Sequence, residues 1–320
     1  MKFEDFKRKV RLKNVVISRL DKLIEDGYSS DAITKTRDKL QNCSQHTVIG
    51  KCKDCGTKYF AGSNSCNNRF CPVCAKKRCL KYLNILLPAF QRYLDRGCTV
   101  HLLTFTIKNT KNFMDGLDKI LQAFRYMTNG NKFYSRVFNY LFVGGIKSLE
   151  VIRGITDEET YHPHLHLLVI KDKFTRDFAI LKEIWNNSVN VVYGTQNEKL
   201  GSVHITQVKS KEFKKSKKQD IKDVKAGILE AIKYITKVED IFDYENQMLS
   251  DFITYSNKRR YISVFGGLAK LAKAMQEDIT ETTKDLVGKV CKHCGCTEFE
   301  FLTDFTAHCG PLEDFEYAEQ

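Results

Sequence analysis

The chain contains no apolar run of about 18 residues or more, so no membrane-spanning helix is expected. Its first residues, Met1-Lys2-Phe3-Glu4-Asp5-Phe6, are charged where a secretory leader needs an apolar stretch, and a cytoplasmic protein is expected. Internal repeats are absent, and a lysine-rich run from Lys209 to Lys225 is the only compositionally biased tract. There is no GxxxxGK[ST] loop, which excludes an ATP site of that type. Acidic residues are in deficit: 39 Asp and Glu face 52 Lys and Arg, for a net charge of +13 over 320 residues. A soluble basic chain of this kind points to a polyanionic partner. The 42 % hydrophobic content suffices for a proper core.

Cysteine is plentiful. Eight of the 12 lie between Cys43 and Cys98, and four between Cys291 and Cys309. In a reducing compartment such clusters are metal ligands rather than disulfides. Cys52-Lys-Asp-Cys55-Gly56 and Cys71-Pro-Val-Cys74 form C-x2-C-x15-C-x2-C, the spacing of a tetrahedral Zn²⁺ site. Cys66 competes for a place in that site, and Cys43, His46 and Cys79 are further candidates. Cys291-Lys-His-Cys294-Gly295 is a second knuckle, completed by His308 and Cys309 or by the rival Cys296.

Hydropathy periods divide the chain into four parts: a helical segment at 1–42, a cysteine-rich segment at 43–80, a mixed domain at 81–267, and a C-terminal helix with the second cysteine cluster at 268–320. A helix is predicted over Lys76–Asp95. In the mixed domain, strands are predicted at Thr99–Ile107, Tyr140–Arg153, His164–Ile170, Ser202–Val208 and Arg260–Val264. Helices are predicted at Phe113–Asn129, Thr175–Val189 and Ile221–Val238. The order β-α-β-β-α-β-α fits an α+β fold with a ferredoxin-like, split βαβ sheet.

Three of the eight histidines stand at alternate positions in His162-Pro163-His164-Leu165-His166, at the entrance to a strand. Alternate residues of a strand share a face, so these imidazoles project together, as a divalent metal requires. An antiparallel pairing about a turn near Asp157 puts Glu150 opposite His164. Two imidazoles and a carboxylate suit Mg²⁺ or Mn²⁺ with positions open to substrate oxygens, and Zn²⁺ binds such a set too.

On the Ile221–Val238 helix, Ile221, Val224, Ile228, Ile232 and Ile235 gather on one face. Glu230, Tyr234 and Lys237 fall on the opposite one. Glu230 and Tyr234 are i, i+4 neighbours able to act at one site. A tyrosine oxygen can attack phosphorus, a nearby carboxylate can serve as general base, and Lys233 and Lys237 can offset phosphate charge.

Taken together, these residues resemble the rolling-circle replication initiators (Rep proteins) of small bacterial plasmids, in the HUH endonuclease superfamily. Leu102-Leu103-Thr104-Phe105-Thr106 resembles the first motif of that family, and His164-Leu165-His166 the HUH element. Glu230-Ala231-Ile232-Lys233-Tyr234 with Lys237 is similar to its ExxKY-type motif. Cys66 to Cys74 resembles its upstream cysteine motif. The stretch Lys258-Arg259-Arg260-Tyr261 to Gly267 resembles its basic segment, with Arg259 and Arg260 as nucleic-acid contacts. The resemblance covers roughly residues 50–267, and the C-terminal cysteine cluster departs from it. It implies a metal held by His164, His166 and Glu150 at the scissile phosphate of single-stranded or hairpin origin DNA. It further implies a 5′-phosphotyrosine at Tyr234 and water activation by Glu230. A host helicase and a single-strand binding protein are the expected partners, with no membrane.

Two other readings remain at this level. A transposase or relaxase of a mobile element uses the same chemistry, often with two tyrosines on the helix, but Val238 stands where a second tyrosine at i+4 would be. A non-enzymatic zinc-dependent DNA-binding regulator accounts for the charge and the knuckles, with the histidines structural.

Overall fold

A computed structural model describes residues 3–154, 160–172, 178–208, 220–236, 244–256, 260–283, 291 and 293–306, with residues 3, 60–61, 232–236, 275–283 and 301–306 described in backbone alone. In chain order the elements are α1 (Phe3–Glu25), α2 (Asp31–Gln41), β1 (His46–Cys52), β2 (Lys58–Ser63), α3 (Pro72–Asp95), β3 (Thr99–Ile107), α4 (Phe113–Arg125), α5 (Lys132–Leu141), β4 (Phe142–Arg153), β5 (Tyr161–Lys171), α6 (Ala179–Tyr193), β6 (Gly201–Gln207), α7 (Ile221–Thr236), α8 (Asn246–Ser256), β7 (Ile262–Phe265), α9 (Gly266–Thr283) and β8 (Phe299–Thr306). A π-helical turn, Tyr126–Gly130, separates α4 from α5. Two compact units emerge. One gathers residues 1–80, 238–254 and 281–320; the other gathers 81–237 and 255–280.

The second unit is a five-stranded antiparallel sheet of order β6-β3-β5-β4-β7. β3 and β4 run parallel with β5 between them, which is the split βαβ arrangement, and the chain is α+β as its element order predicts. Strand β3 alternates along its length: His101, Leu103, Phe105 and Ile107 are buried, whereas Thr104 and Thr106 are half-covered. Its buried residues meet Trp185 of α6, whose indole N–H donates to the Thr106 carbonyl at 3.0 Å and whose ring packs edge-on to Phe105 at 4.9 Å. Truncating Phe105 to alanine would remove roughly 3–5 kcal/mol of stability.

Helix α7 covers the other face. Its buried positions are Asp223, Val224, Gly227, Ile228 and Ala231. Val224 and Ile228 of the isoleucine face are fully buried, and the buried stripe extends on one side to Gly227 and Ala231. Small residues carry no weight in a count of large apolar ones, yet they are what permits close approach. A side-chain carbon at Gly227 would stand 3.0 Å from Leu168 Cδ1 of β5.

The first unit holds a three-stranded antiparallel sheet of order β2-β1-β8. β1 pairs with its neighbour β2 and also with β8, so that Cys52 stands opposite Phe299. The cysteine-rich segment therefore contains a hairpin rather than irregular chain alone. Helices α1 and α2 pack on each other through buried Leu20, Leu23, Ile33 and Leu40. Among the described residues no helix is long and apolar enough to cross a membrane.

Candidate metal centres

The β4–β5 pairing sets Glu150 opposite His164 and Ser148 opposite His166. On the other side of β5, His164 and His166 stand opposite Thr106 and Thr104 of β3. One sheet face thus collects Glu150, His164 and His166, whose ligand atoms all lie within 4.8 Å of one another. His166 Nε2 is 2.8 Å from Glu150 Oε2, and its Nδ1 is 3.1 Å from Thr104 Oγ1. His164 Nδ1 is 3.5 Å from the same carboxylate oxygen. The side chains are 14 % (Glu150), 17 % (His164) and 6 % (His166) exposed, so the site is sheltered yet reachable. Burial pushes the Glu150 carboxyl up, but hydrogen bonds from His164 and His166 and their charge outweigh it and hold the group below its ordinary value.

Two observations fit these residues to a divalent ion. Nε2 of His164 is buried without any hydrogen-bond partner, a costly state for a polar atom unless it ligates. The donor set, two imidazoles and an ionised carboxylate, leaves coordination positions for other oxygens. Thr104 orients His166 in the manner of an outer-sphere partner, a role the sequence did not reveal. His162 shares the face, its ring centroid 4.5 Å from that of His164. Its Nδ1, however, is taken by Asn109 Oδ1 at 2.5 Å. Burial first and the charge of His164 second keep its pKa below normal.

Helix α7 carries Glu230, half-buried, on the side of the sheet where the histidines lie. Lys233 and Tyr234 belong to its last turns, where only the backbone is described. Lys237 and Arg259 lie outside the described residues, and Arg260 is exposed immediately before β7.

The thiols separate into two sets of four. Cys43, Cys66, Cys71 and Cys74 form one, and Cys52, Cys55, Cys291 and Cys294 the other. The C-x2-C-x15-C-x2-C spacing, read as a single site, is thus divided between two. The reason is the hairpin: β1 and β2 carry the Cys52–Cys55 knuckle to the turn end, while Cys43 and Cys66 flank the opposite end beside the start of α3. In the first set, sulfur–sulfur distances are 3.5 Å (Cys43–Cys71), 3.6 Å (Cys43–Cys74) and 3.7 Å (Cys66–Cys74). In the second, Cys52–Cys294 and Cys55–Cys291 are each 3.5 Å. A tetrahedron with metal–sulfur bonds of about 2.3 Å has edges of about 3.8 Å, so both sets match Zn²⁺.

The two knuckles of the second set repeat one geometry. Gly56 N–H donates to the Cys52 carbonyl at 3.0 Å and Gly295 N–H to the Cys291 carbonyl at 2.8 Å, each glycine at positive φ, +71° and +77°. Tyr59 Oη lies 3.2 Å from Cys291 Sγ and is the main cause of that thiol's fall to a pKa of about 6. In the first set, Cys43 is held far below the ordinary thiol range by Cys66, Cys71 and Cys74. Lys13, 2 % exposed, donates from Nζ to the Cys43 carbonyl at 2.7 Å. A lysine buried there would offset the negative charge of four thiolates around a metal ion, and helical spacing alone marks it only as a polar residue. Cys296 joins neither set, its sulfur accepting from the Glu298 N–H at 3.2 Å. His308 and Cys309 lie outside the described residues.

The fold and its histidine face define a class: a split βαβ sheet bearing two imidazoles and a carboxylate beneath a helix with an ExxKY-type sequence. Residues 57–305 match the family described as replication protein, and the chain belongs to that Rep family. Among curated relatives, the protein named Protein rep from Bacillus amyloliquefaciens is 26 % identical over 203 residues, covering 60 % of this chain and 57 % of that one. A Protein rep from Streptococcus pneumoniae serotype 2 is 27 % identical over 215 residues, covering 64 % and 61 %. One from Staphylococcus aureus is 23 % identical over 188 residues, covering 58 % and 77 %. The match thus spans somewhat more than half the length of the first two. No solved structure matches the chain.

Proposed function

We propose that this replication protein initiates rolling-circle replication by nicking and rejoining one strand of its origin DNA. The observation that carries the reading is the Glu150–His164–His166 cluster, with its partnerless His164 Nε2, on the sheet face covered by the helix of Glu230 and Tyr234. These three residues would hold a Mg²⁺ or Mn²⁺ ion, which when bound draws electron density from a phosphate oxygen. Thr104 keeps His166 in its ligating orientation.

The phenol oxygen of Tyr234 forms a bond to the scissile phosphorus, and the bond from phosphorus to the 3′ oxygen breaks. The phenol proton passes to solvent, and the departing oxygen leaves as a free 3′-hydroxyl primer. The 5′-phosphate stays on the tyrosine, so the ester energy is kept for rejoining. Glu230 takes a proton from the water that later releases the adduct. Lys233, Lys237, Arg259 and Arg260 bind flanking phosphates of single-stranded or hairpin DNA. Duplex unwinding falls to a separate helicase, with a single-strand binding protein on the displaced strand. In the first unit, each thiol set would hold a Zn²⁺ ion that takes no part in the chemistry.

Incubating the protein with single-stranded origin DNA and Mn²⁺ tests this. A covalent protein–DNA band on a denaturing gel, absent for Tyr234→Phe, is the expected result. No adduct on either origin strand overturns it.

A further inference from the structure

On the reverse face of the second unit's sheet, a cavity of about 380 Å³ lies between α4, α5, β4 and β7. Lys147 opens into it from β4. This lysine is three residues from Glu150, so the pleat directs the two side chains to opposite faces. The cavity is therefore separate from the histidine site. Its apolar wall is made by the rings of Phe124, Phe138, Phe142 and Phe265. Phe138 contacts the other three at centroid distances of 5.1–6.0 Å. Its polar wall includes Arg125, Thr128 and Asn129. Thr128 and Asn129 come from the π-helical turn Tyr126–Gly130, a distortion of helix geometry that recurs at functional sites.

The charge balance is one-sided. Lys147 has its ammonium 4.9 Å from the Phe124 centroid. Among the described residues, no carboxylate forms an ion pair with Lys147, Arg125 or Arg260. Burial lowers the Lys147 pKa, and the nearby charges of Arg125 and Arg260 press in the same direction. Half-buried Lys147, next to the exposed Arg125 and Arg260 and with no paired carboxylate among the described residues, offers a concentration of positive charge to an arriving anion. Aromatic rings next to cations are the recurring apparatus for single-stranded nucleic acid, with bases on the rings and phosphates on the cations. The volume lies within the range of a small-ligand pocket and fits one nucleotide.

We infer that this cavity is an accessory nucleotide-binding site, holding one unpaired nucleotide of the bound origin strand at a distance from the point of cleavage. Its phosphate lies on Lys147 and Arg125, and its base lies on the phenylalanine wall with Asn129 at its edge. Arg260 leads the strand to it along the β7 edge. The inference rests on the proposed origin-strand substrate and adds a second contact to it.

The test uses full-length Tyr234→Phe protein, which cannot form the adduct, and a single-stranded origin oligonucleotide with 4-thiothymidine at successive positions. Ultraviolet cross-linking followed by peptide mapping is expected to join one position to the segment 124–147 or 263–266. Arg125→Ala, an exposed and structurally mild change, and Lys147→Met are each expected to weaken binding about tenfold. Each should also lower the slope of log affinity against log salt by about 0.7. Unchanged slopes in both variants, with cross-links confined to the histidine face, overturn the cavity assignment and leave the nicking reading standing. If wild-type protein neither binds the strand nor forms an adduct, the nicking reading falls and this site falls with it. Circular dichroism identifies any variant that misfolds, and the response of Arg125→Ala then decides between the two outcomes.

Discussion

The thiol sets of the first unit and the histidine cluster of the second differ in what each leaves open. Each thiol set presents four like donors at near-tetrahedral spacing, so an ion bound there would have its four ligands and no place for a fifth. The histidine cluster presents three mixed donors, with Glu150 and His164 still in contact with solvent, so a bound ion keeps places for substrate. The surroundings differ in the same sense. Buried Lys13 brings a positive charge to the Cys43 carbonyl beside one thiol set, whereas the neutral Thr104 hydroxyl meets His166 in the histidine cluster. Under the proposed function, one kind of centre would hold chain segments together and the other would act on a substrate that arrives.

The sharpest way to break this contrast is to remove one ligand from each kind. His164→Ala should lower the nicking rate by more than about 10³-fold, equivalent to about 4 kcal/mol of transition-state stabilisation. Its zinc content and urea midpoint should match wild type. A matching loss of zinc would show that the histidines belong to the scaffold. Cys71→Ser and Cys294→Ser should each remove one of two zinc ions, measured by atomic emission, and each lower unfolding free energy by several kcal/mol. Were both ions lost from either variant, the division into two independent sets would be wrong.

Thr104→Val should weaken Mn²⁺ binding by about 10- to 100-fold, read by calorimetry, with the fold unchanged. Affinity equal to wild type would remove Thr104 from the site. The smallest effect separates a histidine of the core from the histidines of the site. Burial against Phe178, with Lys171 adding to it, lowers the pKa of His101 to about 4 from an ordinary 6.5. The folded state thus resists a proton that the unfolded chain accepts. The stabilisation is complete above pH 6.5 and declines as pH falls toward 4, by at most about 3 kcal/mol. His101→Leu should flatten the melting-temperature profile between those limits. A variant profile parallel to wild type would assign the acid sensitivity elsewhere.

The second unit was legible wherever structure follows from near neighbours. The β-branched and aromatic composition of Thr99–Ile107 marked a strand, and a turn near Asp157 set Glu150 opposite His164, because hairpin register depends only on residues close in sequence. The first unit was not legible in this way. Strand β8 pairs with β1 although Phe299 and Cys52 stand near opposite ends of the chain, and no local period encodes that partnership. The thiols were recognisable as candidate metal ligands, but three CxxC knuckles with several further cysteines permit more than one grouping, and only the fold selects among them. On α7, the isoleucines outweighed Gly227 and Ala231, though closeness to the sheet is set by the small residues.

The discontinuity of the first unit bears on how the protein is made. Cys52 and Cys55 leave the ribosome first, and their partners Cys294 and Cys291 follow 242 and 236 residues later, with the strand that completes their sheet later still. The contiguous sheet of residues 99–265 is complete before then. The set of Cys43, Cys66, Cys71 and Cys74 is complete once the start of α3 has emerged, but Cys52 and Cys55 wait for their partners. A polypeptide halted before Cys291 would carry a finished histidine site, one complete thiol set and one half-set.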